Sequence, residues 1–141
     1  MLIPADRLSE LETRAIALAR MAQEWAHAPY SNKLVGAAVI TAAGSIFTGC
    51  NVENLAGELG VCAERNAIGA AIAAGHRDFS TVVVIAPDER LWPPCNLCRP
   101  VIVEFSANPS VLLISGESIW RARFTELGDR PFSADGNRPN A

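Results

Sequence analysis

The chain has 141 residues, 50% of them hydrophobic and 19% charged, with a formal net charge of −3 at pH 7. That composition describes one globular domain burying roughly two-thirds of its unfolded surface, and it excludes a largely disordered chain. An acidic chain with few basic clusters is a poor partner for nucleic acid polymers.

The first residues, Met1-Leu2-Ile3-Pro4-Ala5-Asp6, have neither the basic nor the apolar part of a secretory leader. No apolar run approaches the ~20 residues that cross a bilayer, so a cytoplasmic protein without a membrane partner is expected. Residues 6–27 form an amphipathic pattern: Leu8, Leu11, Ala15, Leu18, Ala22 and Trp25 recur at three- and four-residue steps. Asp6 is the expected N-cap, and Pro29 stops the helix. Leu34 to Ile40 is almost continuously apolar, Ala43-Gly44 makes a turn, and Ser45 to Cys50 returns. This predicts a hairpin whose first strand is buried on both faces. Cys62 to Ala74 is an alanine-rich helical pattern closed by Gly75, and so many small residues predict a central helix with close neighbours. A buried strand follows at Thr81–Ala86, then a loop at Pro93-Pro94 and a helix over Cys95–Phe105. Ser110–Ser115 reads as a fourth strand and Ile119–Phe124 as a fifth, exposed on one face. The polar stretch from Ser133 to Ala141 is expected to be a flexible tail after a single domain over 1–132. Helices alternating with strands in this way predict an α/β fold, a three-layer α-β-α sandwich around a mixed sheet.

Four cysteines bound the chemistry: Cys50, Cys62, Cys95 and Cys98. In a reducing compartment Cys95-x-x-Cys98 points to metal or redox use. Cys62-Ala63-Glu64-Arg65 and Pro94-Cys95-Asn96-Leu97-Cys98-Arg99 each stand where a loop meets a helix N-terminus. Thiolates from Cys62, Cys95 and Cys98 can converge on one tetrahedral Zn²⁺ with an open fourth position, which is the catalytic arrangement. The alternatives are a structural site closed by Cys50, or plain buried thiols. Glu64 is too near Cys62 in sequence to ligate comfortably; it suits a proton shuttle, or else a solvated carboxylate favoured by the helix dipole. Arg65 and Arg99 each follow a ligand closely and suit neutralisation of three thiolates. His27 and His76 are isolated at predicted helix ends and read as capping or surface residues. Trp92 before the proline pair is either a lining of the site mouth or a packing residue.

Cys-x-Glu followed by Pro-Cys-x-x-Cys is the signature of zinc nucleobase deaminases. The chain resembles the small, homotetrameric cytidine deaminases over about residues 10–132. The blocks carrying the resemblance are Pro29-Tyr30-Ser31, Val35-Gly36-Ala37-Ala38, Gly49-Cys50-Asn51-Val52-Glu53-Asn54, Cys62-Ala63-Glu64-Arg65 and Pro94-Cys95-x-x-Cys98-Arg99, in that family's order and spacing. The resemblance implies a five-stranded mixed sheet, one Zn²⁺ per subunit, and hydrolysis of cytidine or deoxycytidine to uridine or deoxyuridine plus ammonia, as in pyrimidine salvage. It implies Glu64 as the catalytic proton carrier, Asn51 and Glu53 as ribose ligands, and a backbone contact to the base near Ala63. It also implies sites shared between subunits, with Phe132 at the position of a phenylalanine that reaches a neighbour.

Three departures stand out. Lys33 occupies a place where the family usually has phenylalanine, Leu55-Ala56-Gly57 replaces small-small-tyrosine, and Cys98-Arg99-Pro100 replaces Cys-Arg-Gln. Pro100 restricts Arg99 to extended backbone and, in a helix begun at Cys95, forces a kink or a later start. Lys33, as a substrate contact or else a solvated surface charge, together with Leu55 and Gly57 leaves a second substrate class open, a modified or bulkier aminopyrimidine nucleoside such as an N4- or C5-substituted cytidine or a blasticidin-like antibiotic. A zinc-stabilised binding module without turnover is the non-enzymatic alternative.

Overall fold

The apolar runs become the inner strands of a mixed sheet in the computed structural model, which describes residues 1–137. In chain order the elements are β1 (Leu2–Ile3), α1 (Glu10–Gln23), β2 (Gly36–Thr41), β3 (Ile46–Cys50), α2 (Ala63–Ala73), β4 (Phe79–Ile85), α3 (Cys98–Phe105), β5 (Ser110–Ser115) and β6 (Ser118–Arg123). The sheet has six strands in the order β1-β6-β5-β4-β2-β3, with β4 and β5 parallel and the other pairs antiparallel. The three-layer α/β class is as expected, but the sheet has six strands, not five. The additional strand is β1, where Leu2 and Ile3 pair with Trp120 and Ile119.

Period-two alternation divides the core between the two faces of the sheet. Val39, Val82, Val84, Val111 and Leu113 pack with Ala67 and Ile68 of α2 and Ile102 of α3. Ile40, Val83, Ile85, Leu112 and Ile114 pack with Ala15, Ile16 and Ala19 of α1. All six residues of β2 are buried, as its apolar run predicts.

Helix α1 is shorter than the periodic pattern. Ser9 caps it through a reciprocal capping box with Glu12, while Asp6 lies in a separate single turn of 3-10 helix. The helix ends at Gln23, and Trp25 is 83% exposed, outside the buried stripe. Gln23 Nε2 then donates to the carbonyls of Leu34 and Ala86 at 2.9 and 3.0 Å, tying the 24–35 segment to the end of β4.

Helix α2 begins after Cys62 as N-cap and ends near Gly75, whose φ of 92° suits a glycine terminator. It lies so close to β3 that a Cβ on Gly49 would stand 2.5 Å from both Ala63 O and Ala67 N. The alanines of α2 and the glycine of β3 are thus one packing solution.

Helix α3 starts at Cys98, three residues later than its apolar pattern suggests. Cys95–Leu97 instead make a turn, closed by Cys98 N and Arg99 N donating to Cys95 O at 3.0 and 3.1 Å. Pro100 thereby falls in the first turn, where a missing N–H costs little. Arg99 is helical and not extended as its following proline predicts; its backbone bond to Cys95 and its side-chain anchors offset that bias.

Of the tail expected over 133–141, residues 133–137 form a turn with Ser133 N donating to Asn137 O and Gly136 N to Ser133 O, both at 2.9 Å. The rest of that tail lies outside the described residues. No helix among the described residues is long and apolar enough to cross a membrane.

Candidate active site

Two helix starts and two loops enclose a cavity of about 260 Å³. Cys62, Ala63 and Glu64 enter it from the start of α2, and Cys95 and Pro93 from the turn before α3. Val35, Asn51 and Glu53 form another wall, with Ser31 and Lys33 alongside and Val84 and Trp92 completing the lining.

Cys62 and Cys95 bring their sulfurs to 3.4 Å, as do Cys95 and Cys98, and all three Sγ atoms lie within 4.8 Å of one another. Cys50 is not in this group, so among the described residues the trio has no fourth cysteine. Hydrogen bonding with Cys98, helped by Arg65, brings the Cys62 thiol down to about 5. The interaction with Cys62 and burial together push Cys98 far up. Three thiols so close cannot all release their protons without a cation among them.

Glu64 is 4% exposed, although it carries an ionisable carboxyl group. Burial, and then the negative charge of Cys62, push it up to about 7. Arg65 places NH2 3.7 Å from Cys62 Sγ and 3.3 Å from Gly60 O, so it faces the sulfur cluster as expected. Arg99 is aimed elsewhere in its described contacts: it donates to the carbonyls of Leu127 and Gly128 and lies 5.3 Å from the Phe124 ring centre. Its role there is to bind α3 to the 124–128 segment.

Asn51 and Glu53 reach the cavity already committed to its wall. Asn51 Oδ1 accepts from Val35 N, and its Nδ2 donates to Lys33 O, both at 2.8 Å. Glu53 accepts from Tyr30 N and Ser31 N at 3.0 and 3.2 Å and from the Ser31 hydroxyl, which lowers its carboxyl below the ordinary range. Lys33 lines the cavity, with Nζ 3.4 Å from Asp88 Oδ2.

Phe132 is buried within its own chain. It is 5% exposed inside its own core, packs edge-on against Trp120, and exchanges backbone hydrogen bonds with Leu91 at 2.7 and 3.0 Å. A phenylalanine near a chain end carries no sign of which way it turns; the bridge to Leu91 decides it. Sequence reasoning also missed Asp88, which holds Lys33, Arg90 and Trp92 together. The cue available was Asp88 two residues before Arg90, the spacing of the Asx turn seen here at 2.9 Å.

Residues 9–114 match the model of the cytidine and deoxycytidylate deaminase zinc-binding region. The chain belongs to this family. A probable cytidine deaminase of Dictyostelium discoideum is 44% identical over 89% of this chain and 86% of its own length. The crystal structure of a cytidine deaminase from Burkholderia pseudomallei superposes with a TM-score of 0.77 at 36% identity, covering 84% of this chain and 95% of that one. A blasticidin-S deaminase of Bacillus cereus is 34% identical over 66% of this chain and 72% of its own.

The donor set fits the family's metal. Tetrahedral Zn²⁺ with sulfur at ~2.3 Å sets S···S edges of about 3.8 Å, close to the spacing of this trio. Three convergent thiols with Arg65 beside them supply soft donors and partial charge compensation. The cofactor is Zn²⁺, and the cavity beside it gives an open side to the site.

Proposed function

We propose that this chain hydrolyses cytidine and deoxycytidine to uridine and deoxyuridine with release of ammonia. The observation carrying the proposal is a buried carboxyl, Glu64, in one cavity with three convergent cysteines. Cys62, Cys95 and Cys98 would hold the metal, leaving a coordination position towards the cavity. When bound, Zn²⁺ polarises a water and makes it a nucleophile near neutral pH. Glu64 accepts one proton of that water and passes it to N3 as the water oxygen bonds C4, then carries the second, from the C4 hydroxyl, to the amino group, so that the C4–N bond breaks and ammonia leaves. A carboxyl raised towards neutrality suits both halves of this exchange. Arg65 offsets the negative charge of the thiolates. Glu53 and Asn51 order the wall that receives the ribose, and the backbone at Ala63 meets the base.

The blasticidin-S deaminase relative and the open position of Gly57, where a Cβ would meet nothing within 4 Å, favour one second reading. In it the same chemistry serves a bulkier aminopyrimidine nucleoside. Lys33 adds less to that reading than its charge suggests, because Asp88 already pairs with it. Ammonia release measured side by side from cytidine, deoxycytidine, N4-methylcytidine and blasticidin S separates the two. The proposal requires the highest kcat/KM on the unmodified nucleosides; a preference for either modified compound transfers it to the second reading.

We also propose a cytoplasmic homotetramer of single-domain subunits, acting in nucleoside salvage without nucleic acid polymers. Leu55 and Leu59, 86% and 68% exposed on the loop beside the cavity, support a subunit contact there.

A further inference from the structure

Among the cavity-lining residues, Trp92 carries the only aromatic ring. A flat heteroaromatic base entering this cavity therefore has one π surface from this chain's described residues to pack against. That ring is held with unusual care for a loop residue. Its indole Nε1 donates to Asp88 Oδ1 at 2.8 Å, and the Arg90 guanidinium lies 5.6 Å from the ring centre. Asp88 is itself fixed: Arg90 donates to it through backbone N and NH2, both at 2.9 Å, and the Ser115 hydroxyl donates to its carbonyl at 2.8 Å. The second carboxylate oxygen faces Lys33 at 3.4 Å, so one side chain connects the ring to the opposite loop.

Resting on the nucleoside reading above, we infer that Trp92 is the base-packing wall of this cavity and that Asp88 is the positioning residue that sets its orientation. The chain lacks phenylalanine at position 33, and Trp92 supplies an aromatic surface from another loop. Asp88 touches no reacting atom; it acts through the indole.

The test uses the zinc-loaded full chain, with cytidine and uridine as probes. Tryptophan emission is titrated with each nucleoside, and kcat and KM for cytidine are measured in W92F, W92L, D88A, D88N and the double variant D88A/W92F. Saturable quenching is expected in the wild type and absent from W92F, whose remaining tryptophans, Trp25 and Trp120, lie outside the cavity lining. W92L raises KM about tenfold or more while kcat stays within about twofold, and W92F, which keeps a ring, falls between. D88A raises KM severalfold, D88N restores it because an amide oxygen still accepts from the indole, and D88A adds nothing in the W92F background. Wild-type KM in W92L, or quenching retained in W92F, overturns the wall. An equal D88A effect with and without Trp92 overturns the positioning role. Ammonia release without Trp92 quenching sinks this inference alone; quenching without ammonia release upholds it and sinks the deamination reading instead.

Discussion

Glu64 occupies a position that a carboxylate tolerates poorly, because it is nearly fully buried and next to a thiolate. Its ordinary value of 4.5 rises to about 7, so the metal-free fold binds a proton there more tightly than the unfolded chain does. The sign follows directly: this contribution to stability is complete below the unfolded value of 4.5 and is lost as pH rises through about 7. Thermal unfolding of the metal-free protein beside E64Q should show it. From about pH 5 to about pH 8 the melting temperature of E64Q should gain on the wild type. A constant difference across that range would mean that Glu64 is solvated. Buried charge at a site of chemistry is stability given up for reactivity, and Arg65 at 3.7 Å from Cys62 Sγ restores only part of it.

At the scale of elements, the site depends on two helix starts being held in register. Ile102 is fully buried and seats α3, and hence Cys98, on the sheet. I102A should cost about 2–5 kcal/mol in urea unfolding, with weaker zinc retention under chelator challenge. Stability within about 0.5 kcal/mol of the wild type would place the anchoring of α3 elsewhere, in the Arg99 contacts. Much of this layer was legible in advance. The inner strands announce themselves through apolar runs, and α2 through its alanine periodicity and Gly75. The ends were harder to read. Ser9-Glu10-Leu11-Glu12 carries the capping-box spacing, yet the apolar pattern extends to Leu8 and Trp25 and hides it. A two-residue strand such as β1 has too few positions to show a period. Cys62, Cys95, Cys98 and Glu64 stood out in the sequence because zinc chemistry needs fixed local spacing. Asp88 was harder to read: its spacing to Arg90 marks a local turn, but the long-range contact to Lys33 leaves no sequence signal.

For the whole molecule, exposed Leu55 and Leu59 beside the cavity make assembly part of the functional account. Paired L55E and L59E substitutions should shift sedimentation towards smaller species and lower ammonia release by about tenfold or more, since charges on an apolar contact oppose association. An unchanged sedimentation profile would contradict the proposed assembly through this loop.

In the proposed function, three cysteines and one buried carboxyl act together in hydrolytic deamination. Its most direct test is ammonia release from cytidine by the zinc-loaded wild type and by E64Q, with zinc content determined in both samples. About one zinc per subunit is expected in each protein, with turnover in the wild type and a loss of at least about 10²-fold in E64Q. Equal rates in the two proteins, or a wild type that holds its zinc and releases no ammonia from cytidine, would contradict it.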